Sequence, residues 1–146
     1  MSSVEPGRPH SQRRRARAAV LQVLYELDGS RHDPEAVMAA HLAETTLSAQ
    51  GKAYVRKLVE GVLGRREELD SLIAQYAPNW PVAQLPSVDR NILRIAIFEI
   101  VSEGDTPTKV AINEAVEMAK VFGSDSSPKF VNGVLGSVVA AREIRV

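Results

Sequence analysis

The sequence has no cysteine, which excludes disulfide frameworks, iron-sulfur clusters, thiolate zinc sites and cysteine nucleophiles together. Histidine is scarce, with three in 146 residues. His41 and Glu44 share a helical face at three-residue spacing, but a zinc site needs more ligands than that pair. Neither a phosphate-cradling glycine loop nor a nucleophile elbow is present. The acidic pairs Glu67 with Glu68 and Glu114 with Glu117 read as solvated helix faces rather than as acid-base machinery. No run approaches the roughly 20 consecutive apolar residues that a membrane span needs, and residues 1–12 lack the apolar stretch of a secretory signal. The expectation is a cytoplasmic protein with no membrane partner, no cofactor, no metal and no enzyme activity.

Aromatic side chains make up only 5% of the residues. Alanine, valine, leucine and isoleucine must therefore build the core, a composition that suits packed helices. Formal net charge is zero, yet its distribution is uneven. Residues 1–17 carry five arginines against Glu5, whereas the rest of the chain carries 13 basic and 17 acidic side chains. A cationic arm precedes an anionic body.

Segment 1–10 holds two prolines and little to bury, and reads as a disordered tail. From Ser11, taken as a cap, Val20, Leu21, Val23, Leu24 and Leu27 recur at helical spacing until Gly29. Asp33-Pro34 announces a second helix with Val37, Met38 and Leu42 inward. A long third pattern runs from Ser48 to Pro78 through Tyr54, Leu58, Val62, Leu69 and Ile73. Its glycines at 51, 61 and 64 require either a close neighbour or a bend.

Pro78-Asn79-Trp80-Pro81 is a joint. After it, Val88 to Val101 is apolar on almost every side, as a surrounded central helix should be. A fifth helix carries Val110 to Phe122 and ends at Gly123. A sixth begins with Ser127 as cap and Pro128 in the first helical position, and its Gly133 and Gly136 read as sites of close helix packing. The pattern predicts an all-α fold: two three-helix bundles packed as one compact domain over residues 11–146, with sub-bundles at about 11–77 and 82–143.

Arg13-Arg14-Arg15-Ala16-Arg17 is the strongest chemical signal. The nearest acid on the same helix is Glu26, so local ion pairing leaves the four guanidiniums for an external anion. Guanidinium binds phosphate through two parallel hydrogen bonds and stacks on unpaired bases. The competing reading is a solubilising tail. The segment 122–133 joins the hydroxyls of Ser124, Ser126 and Ser127, the positive charge of Lys129 and the aromatic pair Phe122 and Phe130 at a helix start, where free amides favour phosphate and a surface ring can stack on a base, although Asp125 works against phosphate. Its plainer reading is a capped turn with both phenylalanines in the core. Trp80 is either a partner anchor or a plug between sub-bundles.

Arg13 to Arg17, Val88-Asp89-Arg90-Asn91-Ile92-Leu93-Arg94-Ile95-Ala96, Lys109 to Lys120 and Lys129-Phe130-Val131-Asn132-Gly133-Val134-Leu135 resemble, in order and interval, the NusB family of transcription antitermination factors. The resemblance spans about residues 13–139. It implies binding to single-stranded boxA RNA of nascent ribosomal transcripts together with the ribosomal protein NusE, in a complex with RNA polymerase and other Nus factors. Carried onto this chain, it implies RNA contacts at Arg13, Arg14, Arg15, Arg17, Phe122, Ser126, Lys129, Phe130 and Asn132. The partner surface would then include Asp89, with Arg90 and Trp80 beside it. Homodimerisation through the arginine surface is left open. Some RNA cytosine methyltransferases carry a similar helical domain, but they also need an α/β domain to hold the methyl donor, and no such pattern is present.

Overall fold

The computed structural model describes residues 9–102, 104 and 106–144. The tail expected at 1–10 falls almost wholly outside them. Among the described residues every regular element is helical: α1 (Pro9–Leu27), α2 (Pro34–Glu44), α3 (Ala49–Gly64), α4 (Arg66–Tyr76), a 3-10 turn at Val82–Gln84, α5 (Ser87–Val101), α6 (Thr108–Phe122) and α7 (Ser127–Ile144). The all-helical class expected from the aliphatic composition is the one observed.

Several boundaries follow from the punctuation residues. Gly29 takes φ of 75°, the left-handed conformation that closes α1. Asp33 caps α2 by accepting the Ala36 N–H at 3.0 Å, and Pro34 occupies the first turn. Two boundaries differ from expectation. α1 begins at Pro9, so Ser11 lies inside the helix rather than capping it. The single helix expected from Ser48 to Tyr76 is two: α3 ends at Gly64, and Arg65 leaves helical geometry with φ −120° and ψ 20° before α4 starts. Arg65 then grips Glu68 in the first turn of α4 at 3.0 and 2.7 Å.

The chain divides into two compact units, Met1–Gly61 and Val62–Val146. The division lies inside α3, not at the proline joint, so α4 belongs with the later helices. In the first unit the stripe Ala16, Val20, Val23 and Leu24 of α1 is buried, as are Val37 and Met38 of α2 and Val55, Leu58 and Val59 of α3. In the second unit α5 packs against α4, α6 and α7 and is buried continuously from Asn91 to Ile100, the surrounded position its apolar run predicted. Four polar residues share that burial: Asp89, Asn91, Arg94 and Glu99. They are tolerated because each is hydrogen-bonded. Arg94 holds Asp70 of α4 in a two-pronged ion pair at 2.8 and 2.9 Å and also donates to Asn91 at 2.9 Å. Glu99 accepts from Thr106 at 3.0 Å.

Glu114, expected on a solvated face, is 5% exposed. Gly133 and Gly136, expected to admit a close helix, would each carry a Cβ into open space. Gly51, by contrast, does admit a neighbour. A Cβ there would meet Gln12 Oε1 at 2.6 Å and Leu47 Cβ at 3.2 Å.

Candidate nucleic-acid interface

The arginine run lies in the first turns of α1, and the local structure around it is set by residues far along the chain. Gln12, buried next to the run, accepts from the backbone N–H of Ser48 at 2.8 Å and from its hydroxyl at 3.0 Å. The Ser48 hydroxyl in turn accepts from Gly51 N–H at 3.1 Å, capping α3. One amide oxygen thus ties the start of α1 to the start of α3. Only a glycine at position 51 leaves room for it.

Each arginine has a distinct setting. Arg13 places its guanidinium 4.7 Å from the Tyr54 ring centroid. Arg17, four residues later on the same face, lies 5.6 Å from that ring and donates to the Tyr54 hydroxyl at 3.2 Å. Arg15 points the other way and donates to Thr46 Oγ1, beside a cleft between α1 and α2 that is also lined by Gln22, His41 and Glu44. Arg14 is exposed. The expectation that these side chains are left without internal partners does not hold, since Arg13, Arg14 and Arg17 are all engaged within the chain. For Arg13 and Arg17 the partners include Tyr54, which lies too far away in sequence for a search for local acids to find.

Arg17 is only 3% exposed. A guanidinium there braces Tyr54 from within, and Tyr54, itself 8% exposed, supplies the surface on which Arg13 rests. Cation–π contacts of this kind contribute about 0.5–2 kcal/mol depending on solvent exposure. Tyr54 was legible as a core position, but its role in ordering the arginines was not. The one available sign was a tyrosine in an otherwise aliphatic stripe.

The second expected surface, at the α6–α7 turn, is built by hydroxyls. Gly123 ends α6 with its N–H donating to Ala119 O at 2.9 Å, and a Cβ at this position would meet Ser127 Oγ at 2.5 Å and Ala119 O at 2.8 Å. Ser127 does not cap α7 in the expected way. It is the first residue of the helix, with Pro128 second; its hydroxyl accepts from Ser124 N–H at 3.0 Å and donates to Asp89 Oδ1 at 2.6 Å. The amides of this helix start are largely used internally, Ser127 N–H by Ser124 O and Phe130 N–H by Ser126 O, and Pro128 has none. The groups left to meet an anion here are therefore side chains. Ser126, Lys129 and Asn132 are exposed and Phe130 is half-buried; Phe122 is 38% exposed beside the still more exposed Val121. Neither phenylalanine is a closed core residue.

The three residues expected at the partner surface separate. Asp89 is 6% exposed and committed to Ser127, so in this structure it fixes the α6–α7 turn against α5 instead of presenting a carboxylate to a partner. Arg90 donates to the carbonyls of Val82, Ala83 and Leu85 at 3.1–3.2 Å, pinning the short 3-10 turn. Trp80, at the head of that turn, is 53% exposed. This exposure removes its reading as an interior plug. His41 and Glu44 line the same cleft, as their shared helical face implies, and His41 sets its Nε2 3.1 Å from the Glu26 carboxylate. No cluster of histidine and carboxylates suited to a metal ion occurs among the described residues.

Comparisons with known proteins identify the family and the fold. The model of the NusB family matches residues 14–140. A curated relative, the transcription antitermination protein NusB of Roseiflexus sp. (strain RS-1), is 53% identical over 132 residues, covering 89% of this chain and 93% of the relative. The protein of the same name from Chloroflexus aggregans is 50% identical over 131 residues, covering 88% and 87%. Among solved structures, T. maritima NusB superposes with a TM-score of 0.81 at 38% identity, covering 86% of this chain and 89% of that one. A crystal structure of the antitermination factors NusB and NusE in complex with dsRNA superposes with a TM-score of 0.81 at 27% identity, covering 89% and 97%. The matched span contains Arg14, Arg15 and Arg17, the buried α5 and the α6–α7 turn, and this chain belongs to the NusB family.

Proposed function

We propose that this chain is a cytoplasmic, RNA-binding transcription antitermination factor that acts by docking rather than by catalysis. Its RNA is the single-stranded boxA-type segment of nascent ribosomal transcripts, held jointly with the ribosomal protein NusE. The assembly then joins RNA polymerase and other Nus factors. Relatives at about 50% identity carry the antitermination name, and a solved NusB relative is held with NusE and RNA.

The observation that carries the reading is the ordered arginine run. Arg13, Arg14 and Arg15 contact phosphates in this scheme, while Arg17 acts through Tyr54 to hold Arg13 in place. Guanidiniums ordered before binding lose less rotamer entropy on contact. At the α6–α7 turn Lys129 supplies a further phosphate contact, the Phe122 and Phe130 rings supply stacking surfaces, and Ser126 and Asn132 reach base edges. Trp80 is the partner-facing side chain, on a turn pinned by Arg90, and Asp89 acts behind the α6–α7 turn.

The test is a titration of boxA-like and scrambled single-stranded RNA, with NusE present and absent, over a series of salt concentrations. Tighter binding to boxA, strengthened by NusE, is expected. With Arg13, Arg14, Arg15 and Lys129 as phosphate contacts, the slope of log affinity against log salt should be about −3, from roughly 0.7 per contact. Equal binding of both sequences in both conditions, or a flat salt response, defeats the reading. A duplex competitor separates single-strand from double-strand preference, and sedimentation with and without RNA reports whether α1 also mediates self-association.

A further inference from the structure

The arginine run borders a cleft of about 390 Å³ between α1 and α3, lined by Gln12, Arg13, Gln50, Tyr54 and Lys57 together with Gly51 and Ala53. We propose that this cleft is a nucleotide subsite that carries the RNA track from α1 onto α3, with Lys57 as its second phosphate contact; the proposal rests on the RNA-binding reading above.

Three observations support it. The lining holds two cations and no carboxylate, although acidic and basic residues are equally numerous in the chain. Its walls have a fixed register, because Gln12 bonds both the N–H and the hydroxyl of Ser48 and Gly51 has no side chain to hold the helices apart. Finally, the neighbouring Arg56 is paired with Glu35 at 2.8 Å and Glu60 at 3.8 Å, whereas the exposed Lys57 makes no ion pair among the described residues.

The chemistry follows from this arrangement. Arg13 rests its guanidinium on Tyr54, which brings to the rim of the cleft a group of the kind that stacks on bases and binds phosphate. Lys57 supplies a point charge for the next phosphodiester oxygen, and the Gln50 amide offers one donor and one acceptor to a base edge. The volume lies at the low end of the roughly 300–1,000 Å³ of small-ligand sites, so it suits one nucleotide and not a run of them.

The experiment is a salt-series titration of the full chain with fluorescently labelled single-stranded RNA. Lys57→Gln should weaken binding about three- to tenfold at low salt, the loss of one charge-assisted contact, and reduce the salt slope by about 0.7. Lys52→Gln makes the same charge change on the same helix outside the cleft and should cost less than about twofold. Equal losses in the two variants, or an unchanged slope for Lys57→Gln, overturn the subsite. Replacing Arg13, Arg14, Arg15 and Arg17 together with alanine separates the two ideas. If RNA binding collapses in that variant while Lys57→Gln binds as the parent does, only the subsite fails. If the fourfold variant keeps full affinity, the RNA reading itself fails.

Discussion

The start of α1 and the turn between α6 and α7 are offered here as two RNA-contacting surfaces, and they are ordered by opposite means. At α1 the helix backbone is regular, and the long side chains are held from outside: Arg13 and Arg17 by Tyr54, Arg15 by Thr46. At the turn the contacting side chains are shorter or simply exposed, and the backbone is held. Ser127 links Ser124 to Asp89, and Gly123 gives way to Ser127. The difference teaches that long flexible cations need partners to be preorganised, whereas groups on a tight turn are preorganised once the turn is. Removing a contacting arginine of α1 should therefore cost RNA affinity alone, whereas damage to the turn should cost affinity together with stability.

The largest effect is expected for Gly123→Ala. The added Cβ has no room against Ser127 and the Ala119 carbonyl, and overpacking of this kind costs about 1–3 kcal/mol, at the upper end where backbone is involved. Thermal or urea unfolding should show it, along with weaker RNA binding. An unaltered midpoint would break the comparison at its backbone-held end.

Asp89→Ala comes next. It removes the charged acceptor of a buried 2.6 Å hydrogen bond, a loss of about 1.5–3 kcal/mol, and Ser127→Ala should track it. A double-mutant cycle sharpens the point, since two partners in one bond are expected to be non-additive. Additive losses would mean that Asp89 acts elsewhere, for instance at the partner surface first expected for it.

Tyr54 probes the other end. Tyr54→Phe keeps the ring beneath Arg13 and loses only the hydroxyl that meets Arg17. It should cost about 0.5–1.5 kcal/mol of stability and change RNA affinity little. Tyr54→Leu removes the ring as well and should weaken RNA binding about threefold further. Equal RNA affinities for the two variants would show that the ring does not order Arg13.

The smallest effect lies outside both surfaces, at the break between α3 and α4. Hydrogen bonding to Arg65 holds the Glu68 carboxyl below its usual range. A carboxyl depressed in this way stabilises the fold above its unfolded pKa, and the contribution is lost as pH falls through the folded value. Glu68→Gln should therefore remove a slight acid-side slope from the unfolding midpoint while leaving RNA binding intact. Because the pair is exposed, a large change would contradict its surface character.

Much of this was readable from local pattern. Helix class, the Asp33-Pro34 cap, the Gly29 and Gly123 stops and the burial of α5 follow from residues a few positions apart, because caps, turns and the 3.6-residue period are short-range effects. The arginine run was visible as charge. The break at Arg65 was not, since three glycines offered the same weakness and only Gly64 lies at the interruption while Gly51 serves close packing.

The amino-acid sequence by itself determined the helices, the aliphatic core and the placing of cationic residues on the first turns of α1. Tertiary structure alone decided which of those cations face outward. Arg17 is buried against a tyrosine 37 residues away, Gln12 against a serine 36 away, and Asp89 against a serine 38 away. Partners at such separations leave no periodic trace, because they are chosen by how helices pack and not by how any one helix winds.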